Sequence, residues 1–164
     1  ANRGYRRLVP SPKPLRILEA EAIGALISAG FITLCGGGGG IPVGERNGIF
    51  QGIEAVIDKD YTSCLIAKTL GIENLIICTE VEYVYLNFGT PEEKPLKRMP
   101  LDEAERYMAE GHFAAGSMGP KVGALIDYVK HGGKRAFITS LDRLTDALNG
   151  EAGTEIYSEQ AVPA

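Results

Sequence analysis

Apolar positions along this chain come in two rhythms that alternate. Leu15, Leu18, Ala22, Leu26 and Ala29 recur at helical spacing, and Gly30 supplies a stop. Phe31-Ile-Thr-Leu-Cys35 follows as a short apolar run, which predicts a buried strand. Pieces around Ile49 and over 54–57 predict a hairpin or ribbon bent at Gly52. Asp58 then caps a helix that runs to Leu70 and ends at Gly71.

"NLIIC", residues 74–78, predicts a second core strand, followed by the polar aromatic stretch "TEVEYVYLNFGTPEEKP". Helical spacing returns from Leu101 to Ala109. It returns again after "GSMGP", where Val122, Leu125, Ile126 and Val129 share a face that stops near Gly132. "RAFIT" is a third core strand, "SLDRLTDALNG" a Ser-capped helix stopped by Gly150, and "TEIY" closes the sheet. Apolar strands separated by helices imply an α/β fold whose sheet is covered on both faces.

Composition narrows the picture. At 164 residues the chain has the length of one ordinary domain. A formal charge of −4 argues against a protein that coats nucleic acid. No apolar run approaches the roughly 18 residues of a membrane span, and no signal-peptide pattern opens the chain, so a cytoplasmic protein is expected. Cys35, Cys64 and Cys78 lie within or beside apolar segments and read as buried free thiols. Two histidines, His112 and His131, without paired-cysteine spacing argue against structural zinc. The opening "NRGYRRLVPSPKPLR" carries Arg3, Arg6, Arg7, Lys13 and Arg16 and reads as an extended basic arm, either solvated or facing an anion. Pro14 can serve there as a first helical residue.

Chemistry concentrates at turns. Five consecutive glycines, Gly36–Gly40, follow the first apolar run directly. Such a loop suits close approach of the backbone to a ligand, or convergence of N–H groups on an anion; the alternative is a flexible connector. It matches neither G-x-G-x-x-G nor the Walker pattern. Lys59 stands in the first turn after the Asp58 cap, and Lys121 in the first turn after "GSMGP". A cation at the positive end of a helix is unfavourable unless an anion joins it. Two such placements suggest one shared phosphate, with Asp60 orienting the lysines; two solvated surface lysines are the alternative. Tyr83 and Tyr85 alternate as in a strand and share a face, as a wall for a purine or as a cover for the core.

Read together, "RGYRRLVPSPKP", "GGGGGIPV", "GIEAVIDKD", "EYVYLNFG" and "GHFAAGSMGPKV" resemble the carboxy-terminal half of the carbamate kinases, in the amino-acid-kinase fold. The likeness runs in order from about Arg3 to Ile156. It implies a three-layer α/β/α sandwich with a mainly parallel sheet. It also implies reversible transfer of a phosphoryl group between carbamoyl phosphate and ADP, giving ATP and carbamate, in the arginine deiminase route. By that resemblance Lys59 and Lys121 neutralise the transferring group, Asp60 organises them, and Gly37, Gly38, Gly39 and Gly40 line the transfer site. Thr79, Glu80, Tyr83, Tyr85, Ser117, Met118 and Gly119 then face the nucleotide. Magnesium would be held mainly by the nucleotide phosphates, with no metal cage of protein side chains.

The family usually carries Asp at positions 80 and 82, Pro at 115 and Ser or a similar residue at 36, where this chain has Glu80, Glu82, Ala115 and Gly36. Nothing here matches the family's amino-terminal, acceptor-binding half. The resemblance therefore implies a nucleotide lobe that is inactive alone and belongs to a homodimeric parent about twice as long. A nucleotide-binding regulatory module, or a sibling amino-acid kinase acting on a carboxylate, are the alternatives.

Overall fold

The computed structural model describes residues 5 and 7–158. Arg3 and Arg6 of the basic arm lie outside the described residues. From Arg7 to the start of the first helix the chain is irregular, and its cations find partners on the same chain. Arg7 pairs with Glu54 at 3.8 Å, Arg16 with Glu45 at 3.1 Å, and Lys13 stands over the Tyr61 ring.

Helix α1 spans Ala20–Ser28, a hairpin joins β1 (Val43–Arg46) to β2 (Ile49–Gly52), and α2 spans Lys59–Leu70. The hairpin turns at Asn47-Gly48, both with positive φ, the backbone that a tight two-residue turn requires. Strand β3 (Asn74–Thr79) follows, then the β4 (Val84–Leu86) and β5 (Lys94–Leu96) ribbon, β6 (Arg98–Pro100) and α3 (Leu101–Ala109). The chain continues through α4 (Met118–Lys130), β7 (Arg135–Ser140), a 3-10 turn at Leu141–Arg143, α5 (Leu144–Leu148) and β8 (Thr154–Tyr157).

The main sheet has the order β3-β7-β8-β6, with β3 parallel to β7 and β6 parallel to β8, while β8 runs antiparallel to β7. It is mixed and mostly parallel, with helices flanking it. Ala136, Phe137, Ile138 and Thr139 of β7 are all buried, so that strand is covered on both faces, as its apolar run predicts. Helix α4 packs against α2, α3 and β7, and its Val122, Ala124 and Leu125 are fully buried. Tyr128 donates from its hydroxyl to the Ile72 carbonyl and ties α4 to the turn before β3.

Five sequence expectations change. The ribbon expected from pieces around Ile49 and over 54–57 is instead a hairpin of 43–46 with 49–52, its second strand ends at Gly52, and residues 54–57 form no strand. The helix expected over 15–29 begins at Ala20, and Leu15 ahead of it is exposed. Residues 31–35 form no strand, and Phe31, Ile32 and Leu34 are exposed. "SLDRLTDALNG" divides into the 3-10 turn and α5, and the Ser140 side chain makes no cap to the backbone. Of the three thiols only Cys64 is buried; Cys35 follows the exposed 31–34 segment, and Cys78 stands on edge strand β3. Among the described residues no helix is long and apolar enough to cross a membrane.

Candidate nucleotide and phosphate site

Two helix N-termini meet around one carboxylate. At α2, Asp58 takes an extended conformation and its Oδ1 accepts the Asp60 N–H at 2.8 Å, which turns the chain into the helix. That cap leaves Asp60 pointing inward, with a side chain only 6% exposed. Lys121, in the first turn of α4, donates from Nζ to Asp60 Oδ2 at 2.9 Å and is itself 12% exposed. Lys59 Nζ lies 4.0 Å from Asp60 Oδ1, with its side chain 59% exposed. The trio therefore holds one carboxylate and two ammonium groups, a net positive unit at two positive helix ends.

The start of α4 differs from that of α2. Ser117 provides no side-chain cap, no acid occupies the first turn, and the backbone closes through Gly119 N–H to the Ala114 carbonyl at 2.9 Å. First-turn N–H groups without side-chain partners and an inward lysine make this end a suitable seat for an anion.

A cavity of about 550 Å³ opens against it, lined among others by Thr79, Glu80, Tyr85, Phe88, Met118 and Lys121. Thr79 closes β3 in register with Ser140, the last residue of parallel β7, so the cavity lies at the carboxyl ends of parallel strands. Ser117 also lines it. Its far wall is aromatic: the rings of Tyr85 and Phe88 are 5.7 Å apart and tilted. His112 completes one side, its Nε2 3.3 Å from Glu110 Oε2 and its ring edge-on to Tyr107.

The glycine loop is hooked to the start of α2. Gly39 donates to the Gly36 carbonyl at 2.8 Å, and its own carbonyl accepts from Thr62 Oγ1 at 2.7 Å. A Cβ on Gly39, where φ is +135°, would stand 1.8 Å from the Ile57 carbonyl oxygen, so this position admits no side chain. Gly37, Gly38 and Gly40 line a second cavity of about 430 Å³ with Ile41 and residues 55–57.

Of the residues singled out in the sequence, Thr79, Glu80, Tyr85, Ser117, Met118 and Lys121 share the larger cavity, and Lys121 joins it to Asp60 and Lys59. Two do not line it. The Tyr83 ring stands edge-on to Tyr85, and its hydroxyl engages Glu82, which raises the Tyr83 pKa. Gly119 is buried within the first turn of α4, where a Cβ would press on the Ala114 carbonyl at 3.1 Å. Phe88 and His112 were not singled out. Strand alternation points from Tyr83 to Tyr85 and then misses Phe88, because Asn87 takes a φ of 51° and breaks the period.

Among the described residues no group of three His, Cys, Asp or Glu side chains could hold a metal ion. Asp60 is already engaged by Lys121. What the site offers is positive charge and backbone N–H groups beside an apolar wall, the features that receive a polyphosphate attached to a flat ring system.

Comparison with known proteins gives a consistent frame. Residues 2–140 match the model of the amino acid kinase family. The chain is 56% identical over 153 residues to a carbamate kinase of Thermoplasma volcanium, covering 93% of this chain and 50% of that protein. It is 48% identical to a carbamate kinase of Thermococcus kodakarensis, over 97% of this chain and 50% of the relative. Among solved structures, carbamate kinase from Giardia lamblia bound to AMP-PNP superposes with a TM-score of 0.91 at 45% identity, covering 97% of this chain and 50% of that one. The chain thus spans about half the length of the relatives it matches.

Proposed function

The chain belongs to the amino acid kinase family, and from that premise we propose that it supplies the nucleotide-binding half of a carbamate kinase. The parent enzyme would move a phosphoryl group reversibly between carbamoyl phosphate and ADP. An oxygen of the ADP β-phosphate attacks the phosphorus, the bond from phosphorus to the carbamate oxygen breaks, and ATP and carbamate result. In cells this would serve the arginine deiminase route.

One observation carries the reading: Lys121 lines the large cavity while pairing with buried Asp60, and Lys59 reaches the same carboxylate. Phosphoryl transfer asks a protein for in-line positioning and for cations around the equatorial oxygens, not for covalent help. Two lysines at helix N-termini meet that need. Asp60 keeps their ammonium groups converged, the uncapped start of α4 adds N–H donors, and Tyr85 and Phe88 give a purine a surface to lie against. Magnesium, when bound, adds charge neutralisation on the nucleotide phosphates.

Binding of Mg-ADP to this chain, followed by calorimetric titration, is the test. Lys121→Ala should weaken it by at least about tenfold, the worth of one hydrogen bond to a charged group. Lys59→Ala should also weaken it and leave the melting temperature near wild type, since that side chain is mostly exposed. Equal affinity in wild type and Lys121→Ala would remove Lys121 from the site. Because the acceptor site is assigned to the half of the relatives this chain does not match, the chain alone should form negligible ATP from carbamoyl phosphate. Robust turnover by the mass-verified chain would overturn that assignment.

A further inference from the structure

The aromatic wall of the large cavity stands on a ribbon separate from the main sheet. Strands β4 and β5 form a two-stranded sheet of their own, with Val84 opposite Leu96, Tyr85 opposite Pro95 and Leu86 opposite Lys94. Tyr85 lies on β4 and Phe88 just beyond it, whereas Lys121 belongs to α4. A ligand that touches both the wall and Lys121 needs ribbon and helix held at a fixed separation.

The tip of the ribbon is fastened to itself. Thr90 Oγ1 donates to the Asn87 carbonyl at 2.8 Å, and the Gly89 N–H donates to Glu93 Oε2 at 2.7 Å. Its root is fastened to β8. The Thr154 hydroxyl accepts the Val84 N–H at 2.8 Å and donates to the Leu96 carbonyl, so one oxygen bridges the two residues that pair at the root. Thr154 and Val84 have no exposed surface. Gly153, just ahead, has a φ of +77°, and a Cβ there would stand 2.7 Å from the carbonyl oxygen of Ile138, the residue that pairs with Thr154. Without a side chain it lets β8 start hard against β7. Beside this joint the Glu155 N–H donates to the Lys97 carbonyl at 3.0 Å and holds the β5 side through backbone. The β4 side, which carries Tyr85, reaches β8 through the Thr154 hydroxyl.

We propose that Thr154 is a positioning residue for the nucleotide: its hydroxyl sets the Tyr85–Phe88 wall at the distance from Lys121 that lets a base and its phosphates be held together. Thr154 lies outside the cavity lining and acts through Val84. A hydroxyl here does what a methyl cannot, accepting from one backbone N–H and donating to one carbonyl, both on residues of the hydrophobic core. Removing it leaves both groups unpaired, and the root must shift to find other partners. The inference rests on the nucleotide reading above.

Calorimetric titration with two probes tests it: Mg-ADP, which spans the wall and Lys121, and magnesium tripolyphosphate, which has no base. Thr154→Val keeps the shape and removes the hydroxyl. It should weaken Mg-ADP about tenfold and leave tripolyphosphate within about twofold of wild type. Thr154→Ser, which returns the hydroxyl, should restore Mg-ADP to within about twofold. Equal Mg-ADP affinity in wild type and Thr154→Val, an equal loss for both probes, or no recovery with serine would each overturn the proposal. If Thr154→Val does not fold, hydrogen exchange on the wild type decides. The Val84 amide should slow at least about threefold more with Mg-ADP than with tripolyphosphate at matched saturation, and equal slowing overturns the role of Thr154. Wild type that binds tripolyphosphate but not Mg-ADP would sink the nucleotide reading and this inference with it, whereas the other adverse outcomes leave that reading standing.

Discussion

Residues 7–57 and residues 58–158 are comparably apolar in sequence and behave oppositely in space. In the second region Val122, Leu125, Ile138 and Ile156 are fully buried, and helices α2 and α4 close over β3 and β7. In the first, Leu8, Leu15, Phe31, Ile32, Leu34 and Ile41 face outward, and Ile23 is the buried large apolar side chain. The difference teaches what an apolar run encodes. It marks a surface that must be covered, and says nothing about which polypeptide covers it. The candidate site lies at the border: the glycine loop of the first region hooks onto α2, and Asp60 of α2 engages Lys121 of α4.

The largest effect should come from cutting both regions in the same way. Leu125→Ala removes a side chain with no exposed surface from between helices and sheet, and should destabilise the chain by about 3–5 kcal/mol. Leu34→Ala trims a side chain already in water and should shift stability by no more than about 0.5 kcal/mol. Urea denaturation of the chain alone measures both. Comparable losses would mean that Leu34 is covered in solution, and the contrast between the regions would collapse.

A smaller loss is expected at the border. Asp60→Ala leaves Lys121 without its partner in a position only 12% exposed. Breaking a buried pair in this way costs about 3 kcal/mol, at the low end because Lys121 opens onto a cavity where water can reach it. Thermal denaturation should show the loss, and Lys59→Ala should not share it. If Asp60→Ala is neutral, the two helix ends are not held by this carboxylate, and the border is a contact without energetic weight.

Much of the second region was readable because its signals are local. Asp58 and Gly71 bracket α2, and the structure gives the cap bond at one end and a left-handed Gly71 at the other. "NLIIC" and "RAFIT" become β3 and β7 because each apolar run meets the other in register. The convergence of Lys59 and Lys121 was suggested by a shared oddity, cations at positive helix ends, and the geometry sets both on Asp60.

What escaped was non-local. Segment 31–35 reads as a buried strand by composition, yet has no strand to pair with among the described residues. Strand β6, three residues ending in Pro100, has too short a pattern to register, and exists because β8 offers it a parallel edge. The Tyr85–Phe88 wall depends on one left-handed residue, Asn87, that no period reveals.

The smallest expected change concerns the seam between α2 and α4. Cys64 is buried and donates from Sγ to Asp127 Oδ2 at 3.3 Å, while Lys68 Nζ holds the same oxygen at 2.7 Å. Burial first, and the bond to Asp127 second, push the Cys64 thiol from its ordinary 9.0 to about 12. Burial also pulls the Asp127 carboxyl upward, but the bonds from Lys68 and Cys64 outweigh it and hold the group below its ordinary value. The signs are opposite. A raised thiol pKa contributes stability that is whole below pH 9 and is lost as pH rises toward 12. A lowered carboxyl contributes stability that is present above the ordinary carboxylate range and is lost as pH falls through the native value. Cys64→Ala should therefore make the alkaline decline shallower and leave Lys68 with Asp127, keeping the acid limb. At pH 8 a thiol reagent should modify exposed Cys35 and Cys78 quickly and Cys64 only on unfolding. Equal rates at all three would show that the α2–α4 seam opens as readily as the uncovered first region, and the boundary between covered and uncovered halves would have to be redrawn.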